Sequence, residues 1–214
     1  MKNQNLLQVA SVLFWAVIFS VAMPVRAQAG FELNHVTSVQ VNGLDAFDAV
    51  TMSQWLKVFG TKGVTQSIFL NECTVNYEVE VRYPDRTIRL EFFSEDNPNI
   101  DLEKIFAAKD DRYRKHPIKA RLWINWDNMA KFKDSLRVDG HLIRPNLTFA
   151  EFQKMFPLSA KQQSTGFAAS EGAQIYALIA GGQTAEEAAY GGVLLFEVKN
   201  GKLFKLAIWQ GVAC

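Results

Sequence analysis

The sequence predicts an α+β fold: two tandem repeats of a short helix packed on an antiparallel sheet, preceded by a signal peptide. Three observations carry the prediction. The chain opens on an apolar run that ends in small residues; a 30-residue stretch recurs 97 positions later; and runs of alternating polar and apolar residues follow each copy. The 214 residues are 49% hydrophobic, which excludes a disordered chain. The balance of 23 Lys and Arg against 22 Asp and Glu argues against a phosphate-binding surface, so no nucleic-acid partner is expected. The 2 cysteines are too few for a four-thiolate zinc site or a dense disulfide scaffold.

Residues 1–29 read as a secretory signal. Lys2 supplies the positive start, residues 6–23 are mostly apolar, Pro24 breaks the run, and Ala27 and Ala29 offer a cleavage site after either alanine. The alternative is an uncleaved anchor, since the run approaches the roughly 20 residues that span a bilayer. Gln8, Ser11 and Ser20 weaken that option. No later stretch is apolar enough to cross, so stable membrane insertion after cleavage is not expected, and the location expected is the periplasm. In that oxidising compartment Cys73 and Cys214 are candidates for a disulfide, worth about 4–5 kcal/mol in the chain-entropy view. Two free thiols, or a C-terminal thiol joining two chains, are the competing readings.

Repeat one, with a linking helix and strand, is assigned to residues 30–127 and repeat two to 128–214. Residues 38–67 set beneath 135–164 share eight identities in 30 positions, among them Val41/Val138, Gly43/Gly140, Thr51/Thr148 and Phe59/Phe156. Each copy opens with a strand ending in Asn42-Gly43 or Asp139-Gly140, dipeptides suited to a tight hairpin. A helix-capping threonine follows, Thr51 or Thr148. Met52, Trp55, Leu56 and Phe59 then form one apolar stripe that Gly60 stops; Phe149, Phe152 and Phe156 form the other, stopped by Pro157. Helices of about nine residues are too short to stand alone in water, so each needs a sheet beneath it.

The sheet residues alternate. In repeat one, Tyr77, Val79 and Val81 and then Ile88, Leu90 and Phe92 face inward, while Glu78, Glu80, Arg89 and Glu91 face a solvated exterior. A helix is predicted at about residues 101–113 and a strand at about 118–126, with Ile118, Ala120, Leu122, Ile124 and Trp126 on one side. In repeat two, strands are predicted at about 173–180, 193–198 and 202–210. Phe204, Leu206 and Ile208 are expected on one face, and Leu203, Lys205, Ala207 and Trp209 on the other.

The entry Phe196-Glu197-Val198-Lys199-Asn200-Gly201-Lys202-Leu203, set in a repeat of short helix and antiparallel strands, resembles the tandem helix-on-sheet units of β-lactamase-inhibitor-like proteins and the related small outer-membrane assembly lipoproteins. The resemblance covers roughly residues 36–93 and 135–210. Copy one carries Asp85-Arg86-Thr87 instead of Gly-Lys-Leu, and no cysteine lies near the signal cleavage site, which separates the chain from the lipoproteins. The resemblance implies a protein-binding role, often inhibition, with no cofactor and no catalysis.

The residues themselves point the same way. His35, His116 and His141 stand alone, with no metal-binding or zincin spacing, so no metal ligands are assigned. There is no Gly-x-Ser-x-Gly elbow, and Glu72 beside Cys73 disfavours a thiolate nucleophile. No catalytic residues are assigned. Gly181-Gly182 and Gly191-Gly192 bracket a loop carrying Glu186, Glu187 and Tyr190, and read as hinges for a projecting element rather than a phosphate cradle. In repeat two, Tyr176, Leu178, Leu203 and Trp209 are expected on the face away from the helix, where repeat one shows charges. That face is either a partner surface or core covered by Trp123. The partner-binding set is therefore Trp123, Tyr176, Glu186, Glu187, Tyr190, Lys205 and Trp209. The function expected is a non-enzymatic inhibitor or immunity protein that binds a toxin or envelope enzyme. An envelope assembly or scaffolding factor, and a hydrolase whose groups meet only in three dimensions, are the alternatives.

Overall fold

Both Asn-Gly-type dipeptides make the turns they predict. In the computed structural model, Asn42 and Gly43 have φ of 52° and 83°, and Asp139 and Gly140 have 46° and 80°, the paired positive angles of a two-residue hairpin. The structure describes residues 32–48, 50–60, 65–71, 75–108, 114, 116–164, 167–180 and 192–210. Residues 32–214 form one unit. The described residues are sheet-rich, 46% strand and 19% helix, an α+β fold.

The first hairpin joins β2 (Val39–Val41) to β3 (Leu44–Asp45), and the second joins β9 (Leu136–Val138) to β10 (His141–Ile143). They combine into a small sheet of order β10-β9-β2-β3. In its centre Val39 faces Val138, Gln40 faces Arg137 and Val41 faces Leu136. The bonds at its ends are reciprocal. Asn42 N donates to Ser135 O at 2.7 Å and Asp139 N to Ser38 O at 2.8 Å. Asn42 Oδ1 accepts from Ser135 N at 2.8 Å, and Asp139 Oδ1 from Ser38 N at 2.9 Å. Every partner is thus matched by the residue 97 places away.

Two of the helices begin on capping boxes. Helix α1 (Met52–Phe59) starts at Thr51, whose Oγ1 accepts from Gln54 N at 3.4 Å while Gln54 Oε1 accepts from Thr51 N at 3.0 Å. Helix α3 (Phe149–Met155) starts at Thr148, with Glu151 completing the same reciprocal cap at 3.2 and 2.8 Å. Between them lies α2 (Leu102–Ala107), capped by Asp101.

One large sheet carries all three helices. It contains β1 (His35–Val36), β4 (Val50–Thr51), β5 (Thr65–Asn71), β6 (Asn76–Arg82), β7 (Arg86–Phe92), β8 (Lys119–Trp126), β11 (Ala173–Ala180), β12 (Gly192–Lys199) and β13 (Lys202–Gln210). Its order is β1-β11-β12-β13-β8-β7-β6-β5, with β4 pairing β8. Two antiparallel meanders, β6-β7-β8 and β11-β12-β13, meet at their last strands, where Ile124 faces Ile208. The helices therefore share one sheet instead of each resting on its own.

Inward residues form one continuous core. Trp55 stacks on Phe59 at 5.7 Å and Phe59 contacts Tyr83 at 6.4 Å. Across the sheet, Phe152 packs on Phe196 at 5.0 Å and on Tyr176 at 5.7 Å. Val79, Val81, Ile88, Leu90, Leu122, Ile124, Leu178, Leu206 and Ile208 line the floor between them. At about 25 cal/mol for each Å² removed from water, such a floor outweighs the weak propensity of three short helices.

Three expectations change. Strand β5 is absent from the sequence reading because its residues do not alternate cleanly. The outward carboxylates of repeat one are not freely solvated: Glu78, Glu80 and Glu91 are buried. Glu80 is held by Arg82 at 2.5 Å and Arg89 at 2.9 Å, and burial of long side chains beside one another does the rest. Finally, the register between β12 and β13 shifts after Glu197, so that Val198 faces Leu203 while Glu197 faces Lys205. Phe204 is the extra residue of a β-bulge, and Leu203 turns into the core.

Candidate functional site

Aromatic residues gather on the outward face of β8 and β13. Trp209, near the end of β13, lies beside Trp123 of β8 with ring centroids 6.0 Å apart and nearly parallel planes. Its indole Nε1 donates to Asn125 Oδ1 at 2.9 Å. Phe167 meets it edge-on at 5.3 Å. The ring is thus held from two sides and by one hydrogen bond. Ile175, Ala177 and Leu195 are buried beneath, with Leu33, Val193 and Ala207 packed against them. This is a second, smaller apolar cluster on the side of the sheet away from the helices.

A cleft of about 250 Å³ opens in this cluster between Phe167, Trp209, Asn125 and Lys205, over a floor of Ile175 and Leu195. Its apolar floor and polar rim match the anatomy of a site for a large side chain. At the rim, Glu197 Oε1 accepts from Ser170 N at 2.9 Å, which ties the Phe167 segment to the strand beneath. Lys205 faces Glu197 across the β12–β13 pair. Asp127 also lines the cleft and is exposed. Trp123 Nε1 is buried and has no hydrogen-bond partner among the described residues.

Of the expected partner-binding residues, Lys205 and Trp209 line the cleft, and Trp123 stacks on Trp209 without lining it. Tyr176 does not. It was expected outward but lies on the helix side, 4% exposed, with its ring 4.7 Å from Phe149. The reason is the pairing of β11 with β12: Tyr176 faces Phe196 and Leu178 faces Leu194, both core residues. Leu178 and Leu203 are core for the same reason of parity and bulge. Burial pushes the Tyr176 phenol above its ordinary value, and a hydrogen bond from Gln163 opposes that rise. Glu186, Glu187, Tyr190, Cys73, Cys214 and the signal segment lie outside the described residues.

Sequence reasoning missed Phe167 and Asn125. Phe167 sits in an irregular segment without periodicity. Asn125 does occupy an outward position of a strand already predicted, so its place opposite Ala207 was within reach once β8 was paired with β13. Among the described residues no group of three or more His, Cys, Asp and Glu side chains is placed to hold a metal ion. No described helix is long and apolar enough to cross a membrane. Comparison with known protein families, with curated proteins and with solved structures gives no match for this chain.

Proposed function

We propose that the chain is a secreted, periplasmic protein-binding module, built by internal duplication, that neutralises an envelope-directed toxin or enzyme without catalysis of its own. The observation that carries the binding reading is the cleft walled by Trp209. Tryptophan is over-represented among residues that dominate interface energies, and it contributes most where its ring is already fixed before the partner arrives. Here the stack on Trp123, the edge contact with Phe167 and the bond to Asn125 fix it.

The duplication is supported by the offset of 97 shared by the two hairpins, their reciprocal bonds and the two capping boxes. The secretory reading rests on residues 1–29 as sequence.

The test is affinity capture from an envelope extract, run side by side with the wild-type protein and with Lys205→Glu and Phe167→Ala. The proposal expects a protein retained by the wild type and reduced at least tenfold in both variants, each still folded by circular dichroism. Equal retention by all three would remove the cleft as the interface. Retention of no protein would remove the binding reading itself.

A further inference from the structure

A second cavity, of about 530 Å³, shares no residue with the Trp209 cleft. It opens where the start of β11 meets the β12–β13 turn and is lined by Phe149, Gln163, Gln174 and Asn200, with the backbone of Gly172 and Gly201 at its edge. Its volume falls within the roughly 300–1,000 Å³ of small-molecule sites. The described residues that line it carry no ionisable group, so it offers no counter-charge to a phosphate, a carboxylate or an ammonium.

What it offers is an aromatic ring among side-chain amides. Phe149 is backed by Tyr176 at 4.7 Å and Phe152 at 6.1 Å, and its remaining surface lines the cavity. Gln174 is oriented by the Tyr176 hydroxyl, which donates to Gln174 Oε1 at 2.9 Å and leaves the NH₂ end available. Gln163 and Gln174 each spend one group on the Tyr176 hydroxyl and keep the rest, and Asn200 adds a further amide, so that together they give and accept as vicinal hydroxyls require. The nearby backbone is already paired: Phe149 N donates to Gly201 O at 2.9 Å, Leu203 N to Leu147 O at 2.8 Å and Ala173 N to Ser170 O at 3.0 Å. A peptide strand would find few backbone partners there, whereas a sugar needs only the side chains.

We propose that this cavity is a site for a neutral saccharide, one sugar ring lying on Phe149 with its hydroxyls bonded to the amides of Gln163, Gln174 and Asn200. Such a site, distinct from the protein-binding cleft, would place the molecule against a glycan of the envelope while its other face holds a partner. Affinity for one or two sugar rings is expected in the millimolar range, because few groups are fixed and both surfaces are hydrated before contact.

The experiment is a titration of the ¹⁵N-labelled protein with maltose and with N,N′-diacetylchitobiose, and separately with tetra-alanine, following the side-chain NH₂ resonances of Gln163, Gln174 and Asn200. A saturable shift of these resonances with at least one disaccharide is expected. Phe149→Leu should weaken it about tenfold by removing the stacking face, and Gln163→Ala, an exposed position, about fivefold. No shift up to about 20 mM of either disaccharide would overturn the proposal, since that exceeds any useful affinity for a site of this size. A shift unchanged in both variants, or one seen with tetra-alanine alone, would overturn it equally. If Phe149→Leu does not fold, Gln163→Ala decides.

Discussion

Asp134 illustrates how single side chains hold the two segments together. Its Oδ2 accepts from Trp126 Nε1 at 2.7 Å and lies 3.3 Å from Arg86 Nε, while Oδ1 accepts from Asn42 Nδ2 at 2.9 Å. Arg86 in turn contacts Asp85 at 3.0 Å and lies over the Tyr83 ring at 4.3 Å. Removing one partner of such a buried set leaves the others desolvated and unpaired. Asp134→Ala should therefore cost about 3–5 kcal/mol in urea unfolding, against about 1 kcal/mol for an exposed charge such as Glu95. Glu80 makes the matching prediction for acid. Burial alone would raise its pKa, but the guanidiniums of Arg82 and Arg89 overcome that and hold it below the ordinary 4.5. A lowered folded pKa contributes stability above the unfolded value and loses it as pH falls through the folded one. The advantage of the wild type over Glu80→Gln should be present near neutrality and fade as pH drops below about 4.5, read from urea midpoints. Legibility differs between the two: Glu80, Arg82 and Arg89 fall on one face of the predicted hairpin by alternation, so that pairing was within reach of the sequence, whereas the set around Asp134 joins Trp126 to Arg86 and Asn42, which no local rule brings together.

Elements were more legible than contacts wherever a local rule sufficed. Asn42-Gly43, Asp139-Gly140 and Asn200-Gly201 each announce a turn, and all three adopt positive φ at both residues. Strands 173–180 and 202–210 appear with the bounds that alternation gives. The capping boxes complete a signal read only in part, since Thr51 and Thr148 were recognised as caps while Gln54 and Glu151, three places on, were not. In the second box the hydrogen bonds from the Thr148 backbone and hydroxyl lower the Glu151 pKa. What local rules could not supply was the bulge at Phe204, which depends on two strands being paired before the mismatch exists. Thr51→Ala should lower stability by about 1 kcal/mol through loss of the cap. Gly43→Ala and Gly140→Ala, at φ of 83° and 80°, should cost similar amounts to each other, about 1 kcal/mol, because the strain of a Cβ in that region is the same in both turns. Equilibrium denaturation of the three variants checks both statements.

At the scale of the whole molecule, strand pairs join the two segments three times, through β2–β9 in the small sheet and through β13–β8 and β1–β11 in the large one. One core cluster runs from Trp55 to Phe152 without a break. Tryptophan fluorescence and far-ultraviolet circular dichroism should accordingly report one coincident unfolding transition, and two separated midpoints would show that the halves fold apart. The repeat in the sequence carried this architecture only halfway, because identity at a fixed offset says that two units are alike and nothing of the strand through which they meet. The same limit applies to the outward face: its composition marked Trp123, Lys205 and Trp209, yet only the pairing of β8 with β13 stacks Trp123 on Trp209 and sets Asn125 beside the cleft that Lys205 and Trp209 line. Hydroxyl-radical footprinting of the complex with a captured partner tests that cleft most directly. Phe167 and Trp209 should lose most of their oxidation on binding while Leu142, exposed on the small sheet, keeps its own; unchanged oxidation of Phe167 and Trp209, with protection at Leu142, would contradict the account.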